Sequence, residues 1–203
     1  MSRLHYQFQI KGTSPLRTHN VQLADPANFY AQQISPIARK GSKRTEAETL
    51  ALYQLEALGG MYLDPSGKIT LPGRVIHGAM RAAESKKGKD SKRKSFEAYV
   101  RLPLYLKFTF SGEQDPAKRS AMGEYRNLEL VGSQGSRGGG KTVRSRPLFD
   151  DWTAEGELIV EDEGLDPDRV ESALRAAGHA GIGESFGGYG QFTITEWQAG
   201  KIE

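Results

Sequence analysis

The chain has 203 residues, 37% of them hydrophobic and 26% charged, which is enough apolar material for a buried core and excludes a chain disordered throughout. Cysteine is absent, which excludes disulfide frameworks, thiolate catalysis and cysteine-ligated zinc. The four histidines, His5, His19, His77 and His179, stand too far apart to read as a metal box, so neither a metal nor a cofactor is expected.

The net charge of +3 conceals an asymmetry: residues 1–149 hold 25 Lys/Arg against 12 Asp/Glu, and residues 150–203 hold 3 against 13, giving +13 and −10. A basic surface of that size suits a polyanion, and a basic part facing an acidic one suits head-to-tail self-association. No apolar run approaches about 18 residues, and residues 1–5 lack a signal-peptide stretch; a soluble, cytoplasmic protein is expected.

In chain order, Leu4, Tyr6, Phe8 and Ile10 alternate with polar residues and predict a strand with one buried face. From Gly12 to Arg44 the pattern is broken by Pro15, Pro26 and Pro36 and ends in the basic cluster Arg39, Lys40, Lys43 and Arg44; it reads as a long functional loop. Thr45 and Glu48 form a capping box for a helix carrying Leu50, Tyr53, Gln54, Ala57 and Leu58 and stopping at Gly59. A short hairpin is expected around Asp64-Pro65-Ser66-Gly67, then an amphipathic helix with Val75, Ile76, Ala79, Met80 and Ala83.

Residues 84–95 carry Lys86, Lys87, Lys89, Lys92, Arg93 and Lys94 and read as a mobile basic loop. One or two strands follow within 96–110, at an edge or bulge because of Pro103. Extended segments at 128–131 and 142–149 flank a glycine tract. A strand at 156–161, a helix capped by Asp166-Pro167 and ending at Gly178, and a closing strand at 191–197 complete the pattern. Strands and helices interleave with a β-α-β arrangement at each end, which predicts a single α+β domain over residues 1–203, ferredoxin-like or of the RNA-recognition type, with inserted loops at about 12–45, 84–95 and 132–141.

Three motifs carry chemistry. Gly135-Ser136-Arg137-Gly138-Gly139-Gly140-Lys141-Thr142 satisfies the Walker A pattern, but the continuation Val143-Arg144-Ser145-Arg146-Pro147 favours extended chain, whereas a phosphate loop needs a helix there. Arg137, Lys141, Arg144 and Arg146 instead suit an arm along a phosphodiester backbone. In Leu71-Pro72-Gly73-Arg74-Val75-Ile76-His77-Gly78-Ala79-Met80-Arg81 a tight turn opens a helix, and Gly78 would admit a second backbone. Gly181-Ile182-Gly183-Glu184-Ser185-Phe186-Gly187-Gly188-Tyr189-Gly190 permits positive φ and close approach to a ligand backbone, and reads equally as a purely structural loop.

The last two segments together resemble the proline-glycine turn and the glycine-rich C-terminal loop of the RAMP superfamily, the repeat-associated proteins of CRISPR systems, and the start of the chain resembles their guide-RNA-binding backbone subunits. Arg74 and Val75 stand where that turn usually has two serines. The resemblance implies a modified RNA-recognition palm with a projecting thumb, a groove holding single-stranded RNA independently of sequence, helical stacking along guide RNA beside other CRISPR effector subunits, and a role in antiviral defence. By position it assigns Arg74, His77 and Arg81, with Gly181, Gly183, Gly188 and Gly190, to the groove. The loop at 13–44 lacks the glycine-rich segment in which cleaving members place their Asp, leaving Asp25 as nearest candidate.

A binder rather than an enzyme is therefore expected, with Arg39, Lys40, Lys43, Arg44, Lys86, Lys87, Lys92, Arg93, Lys94, Arg137, Lys141, Arg144 and Arg146 on phosphates and Tyr30, Tyr62, Tyr99 or Tyr189 available to stack. One alternative is a metal-independent endoribonuclease using His5, His19 or His77 with Lys40 or Tyr30. Another is a solitary phage-borne homologue that binds single-stranded DNA or interferes with CRISPR complexes.

Overall fold

The alternation at the start of the chain becomes strand β1 (Leu4–Gly12), which buries Tyr6, Phe8 and Ile10 and turns Gln7, Gln9 and Lys11 outward. In the computed structural model, which describes residues 3–85, 100–121, 128–132, 141–161, 165–184 and 188–201, the chain packs as two compact units. The first comprises residues 1–17, 70–111 and 149–203; the second comprises residues 18–69 and 112–148.

The first unit is a sheet with β1 near its middle. The other strands are β3 (Val100–Arg101), β4 (Lys107–Thr109), β8 (Thr153–Val160) and β9 (Phe192–Lys201). Their order is β3-β8-β1-β9, with β4 also on β8, and every pairing is antiparallel. A two-residue strand, β7 (Leu148–Phe149), comes just before β8 in the chain. Phe8 faces Gly156 on one side and Trp197 on the other, and a bulge interrupts the β1–β9 ladder between Gln9 and Ile10. Helix α3 (Gly73–Ser85) lies in sequence between β1 and β3, and α5 (Pro167–Ala180) joins β8 to β9. Each helix thus links two strands that run in the same direction with an opposed strand between them, the split β-α-β arrangement repeated twice. The expected α+β class and ferredoxin-like order are what the chain forms.

The helices pack on each other and bury Ile76 and Met80 from α3 and Val170, Ala173, Leu174 and Ala177 from α5. Asp166 accepts from the Asp168 N–H at 3.0 Å and Pro167 opens the helix, as the sequence predicts, but α5 runs two residues past Gly178. A cluster of Phe108, Phe110, Phe149, Trp152 and Phe192 fills the end of the core, the Trp152 indole donating to the Ser14 carbonyl at 2.8 Å. The two short strands β3 and β4 occupy the edge, where Pro103 between them costs no ladder bond. Residues 96–99 lie outside the described residues.

Gln7, Gln9, Lys107, Glu155, Glu157 and Glu196 line a depression of about 360 Å³ on the sheet. Hydrogen bonds from Lys107 and Gln9 hold the Glu155 carboxyl below the ordinary carboxylate range. A depressed folded-state pKa adds stability that is present at neutral pH and lost as the pH falls through that value. Glu155→Gln is expected to show a smaller loss of stability than the parent chain between pH 7 and about pH 3 in urea titrations; an unchanged difference would refute it.

The second unit is mostly helical. Where the stretch from Gly12 to Arg44 reads as loop, it holds a 3-10 turn (Val21–Ala24), helix α1 (Phe29–Arg39) and a second 3-10 turn (Gly41–Lys43). Asn28 caps α1, its side chain accepting from the Tyr30 N–H at 2.9 Å, and Pro36 sits inside the helix. Helix α2 (Glu46–Gly60) has the predicted capping box, with Thr45 Oγ1 accepting from Glu48 N–H at 3.2 Å and Glu48 Oε2 from Thr45 N–H at 3.0 Å; it ends one residue later than expected. The hairpin expected at 64–67 is reduced to one bridge, Leu63 with Ile69, because Asp64 Oδ1 ties the turn by accepting from Ser66 and Lys68 N–H groups. Helix α4 (Pro116–Ala121) and the antiparallel pair β5 (Leu128–Gly132) and β6 (Lys141–Ser145) complete this unit. No helix among the described residues is long and apolar enough to cross a membrane.

Candidate nucleic-acid interface

The described parts of the glycine loop, residues 181–184 and 188–190, close on the chain's own backbone. Gly183 (φ +70°) and Gly190 (φ +68°) occupy the left-handed region, and a Cβ would lie 2.4 Å from the Arg17 carbonyl oxygen at Gly183 and 2.1 Å from the Ile182 carbonyl oxygen at Gly190. Glu184 N–H donates to the Arg17 carbonyl at 2.9 Å, and Gly190 N–H to the Pro15 carbonyl at 2.8 Å. These bonds hold the loop on the segment that carries the short strand β2 (Leu16–Arg17). Gly181 ends α5 at φ +85°, while Gly188, at φ +86°, has nothing within 4 Å of its missing Cβ among the described residues.

Sequence reasoning missed Arg17. It is 5% exposed, lies 4.2 Å from the centre of the Tyr189 ring and 3.6 Å from Glu184, and so clamps both sides of the loop. The local sequence gives no signal for this, since its partners come about 170 residues later.

The other turn behaves differently from expectation. Among the described residues nothing lies within 4 Å of a Cβ built on Gly78, so no described backbone approaches there; the close-packed position is Gly73, whose Cβ would meet the Pro103 carbonyl oxygen at 2.2 Å. That turn therefore packs at the β3–β4 edge, whereas the glycine loop closes on the segment after β1. Arg74, His77 and Arg81 recur at i, i+3 and i+7 and form one stripe of α3; Arg74 is exposed and the other two are half-buried.

In the second unit the basic clusters are partly committed. Lys40 pairs with Glu48, lowering that carboxyl below its usual range, and Arg44 Nε donates to the Gly41 carbonyl at 2.8 Å. Arg39 and Lys43 are exposed. Strand β6 replaces the helix that a nucleotide-binding loop would need after Lys141, in keeping with extended chain there. Arg144 pairs with Glu56, whose second oxygen accepts from Ser145 N–H at 2.9 Å, and Arg146 is 7% exposed. Arg39, Arg144, Arg146, His19 and Glu56 share the walls of a cleft of about 790 Å³ with Leu23, Ile34 and Pro36. Glu56 was not foreseeable, because its partner is 88 residues away.

Asp25 is exposed and accepts from Ala27 N–H at 2.9 Å in a local turn; it is not among the residues lining the cleft, unlike His19. Tyr62 donates to the His19 carbonyl at 3.1 Å, and Phe29, 64% exposed, presents its ring to solvent. Lys86, Lys87, Lys92, Arg93, Lys94, Arg137 and Tyr99 lie outside the described residues.

The fold so assembled defines an α+β protein with an all-antiparallel ferredoxin-like sheet. The chain is similar to one chain of a solved structure, the cryo-EM structure of the Type III-B Cmr-beta bound to cognate target RNA, with a TM-score of 0.52 at 12% identity. The match covers 98% of this chain and 61% of that one, so this chain spans about three-fifths of its length. No protein-family model and no curated protein matches the chain.

Proposed function

We propose that this chain is a sequence-independent, single-stranded-RNA-binding subunit of a CRISPR-type ribonucleoprotein, related to the RAMP backbone subunits that line up along guide RNA. The likeness to a chain of an RNA-bound assembly over 98% of the sequence carries the reading. The charge distribution supports it. Three carboxylates and a lysine on the sheet make a poor phosphate platform there, and arginines and lysines are concentrated in residues 39–44, 74–94 and 137–146. The acidic last quarter, including Glu155, Glu157 and Glu196, would meet the basic region of a neighbouring copy, and a head-to-tail contact that does not close gives a filament.

The test is fluorescence anisotropy with labelled single strands of differing sequence in a salt series. On single strands the logarithm of affinity falls by about 0.7 per phosphate contact for each tenfold rise in salt, so about six contacts predict a roughly 300-fold loss between about 50 and 200 mM. Reversing the charges of Lys86, Lys87, Lys92, Arg93 and Lys94 should weaken binding and flatten that slope. Absent binding, or affinity indifferent to salt, refutes the proposal. DNA strands bound as tightly as RNA would favour the phage-borne alternative, since RNA alone offers 2′-hydroxyls. His19 in an arginine-lined cleft keeps an endoribonuclease reading open to test: metal-free cleavage of labelled RNA that His19→Ala abolishes would replace binder with enzyme.

A further inference from the structure

We infer that the cleft in the second unit is a nucleotide site, taking one phosphate on Arg39, Arg144 and Arg146 and the attached base against its apolar wall. The inference rests on the nucleic-acid reading above and gives it a specific receptor. The first observation is size: about 790 Å³ falls within the roughly 300–1,000 Å³ typical of small-molecule sites, ample for a nucleoside monophosphate.

The second is the division of the lining. Leu23, Ile34 and Pro36 supply apolar surface, and three guanidinium groups supply forked donors whose geometry matches phosphate oxygens. Against these three positive charges the lining holds, among the described residues, a single carboxylate, Glu56.

The third is pre-organisation. Glu56 is 2% exposed and divides its oxygens between Arg144 and the Ser145 N–H, so the Arg144 guanidinium is fixed before any ligand arrives. Arg146 is nearly buried beside it, with a long bond of 3.4 Å to the Ser145 carbonyl. Only Arg39, at the end of α1, is exposed and free to reorient. A bare phosphate would leave the apolar wall unused, and an apolar ligand would leave the arginine-lined side of the cleft unused; a nucleotide engages both. The apolar wall discriminates little among bases, consistent with a binder that does not read sequence.

The experiment titrates the intact protein with adenosine 5′-monophosphate, inorganic phosphate and adenosine, and separately with a single-stranded RNA carrying 4-thiouridine for photocrosslinking. Ser35 lines the cleft on α1, and Ser35→Trp fills it without touching a charge; Arg39→Glu, at an exposed helix end, tests the same site if the first variant melts early. The monophosphate is expected to bind at least tenfold more tightly than phosphate or adenosine, each variant to lose about tenfold, and crosslinks to fall within residues 19–39 or 144–146. Equal affinity for phosphate and the monophosphate, or unchanged affinity in both variants, overturns the cleft as a nucleotide site. A strand bound equally by parent and variants, crosslinked elsewhere, overturns the cleft while leaving the RNA-binding reading intact. A monophosphate held by the cleft with no strand bound at all does the opposite: the cleft stands as a free-nucleotide site and the RNA-binding reading falls.

Discussion

Gly190→Ala is expected to cost about 3 kcal/mol of stability, the sum of a left-handed backbone penalty of about 1–2 kcal/mol and overpacking of about 1–3 kcal/mol. Both terms apply because φ is +68° and the new Cβ would fall 2.1 Å from a carbonyl oxygen of the backbone, which has no rotamer by which to retreat. Moving that carbonyl disturbs the bond from Ile182 N–H to the Gly190 carbonyl (3.0 Å), and moving Gly190 itself disturbs the bond from its N–H to Pro15 (2.8 Å). Gly188→Ala is the matched control: its φ is +86° but nothing among the described residues lies within 4 Å, so only the backbone penalty of about 1 kcal/mol remains. Urea unfolding of the two variants should separate them by about 2 kcal/mol. Equal costs would show that the loop relaxes around the added methyl and that its closure on residues 15–17 is loose.

The second large effect concerns Glu56. Removing it strips the partner from Arg144 and leaves the Ser145 N–H unsatisfied in a buried position, for an expected loss of about 2–3 kcal/mol in Glu56→Ala. The figure is kept below that of a fully buried pair because the Arg144 side chain is 36% exposed and water screens the stranded charge. Glu56→Gln retains an acceptor for Ser145 and should lose only about 1 kcal/mol. The double variant Glu56→Ala/Arg144→Ala should recover part of the single-variant loss, since it removes the stranded charge with its partner. Strict additivity in that cycle would mean that the pair does not interact in solution.

These two sites divide cleanly in how much the sequence disclosed. The glycine loop was visible as a loop, and its positive-φ positions followed from composition, but its target did not: Arg17 and Pro15 lie far upstream, and no local pattern names them. The same limit hid the cleft. Arg144 and Arg146 sit in a basic run that reads as a phosphate arm, yet Arg144 is paired and Arg146 is nearly buried, because α2 brings Glu56 against β6 from 88 residues earlier. Local chemistry served well where the determinant is local. Asp166-Pro167 and the Thr45–Glu48 box located two helix starts, and alternation located β1, β8 and β9.

Helix α1 was hidden by Pro36. The missing N–H and the ring disfavour a helix interior, so three prolines between Gly12 and Arg44 argued for a loop. Asn28, capping Tyr30, was the signal that outweighed them: the cap satisfies the start of the helix, Tyr30, Ile34 and Ile37 then recur at i, i+4 and i+7, and the Tyr30 side chain comes against Gly59 of α2. In the turn before α3 the distinction was steric. Both Gly73 and Gly78 look permissive in sequence, but among the described residues only Gly73 has a carbonyl within contact distance of the missing Cβ.

Strand β1 precedes nearly everything else in the chain, yet its two neighbours, β8 and β9, begin at residues 153 and 192. During synthesis Tyr6, Phe8 and Ile10 must therefore wait, unpaired, while more than a hundred residues follow, and ring closures of that length make for slow acquisition of the sheet. Any nascent or truncated form ending before residue 153 exposes an apolar strand with both edges bare, a template for clumping that a holdase chaperone, or early docking of a partner, would have to shield.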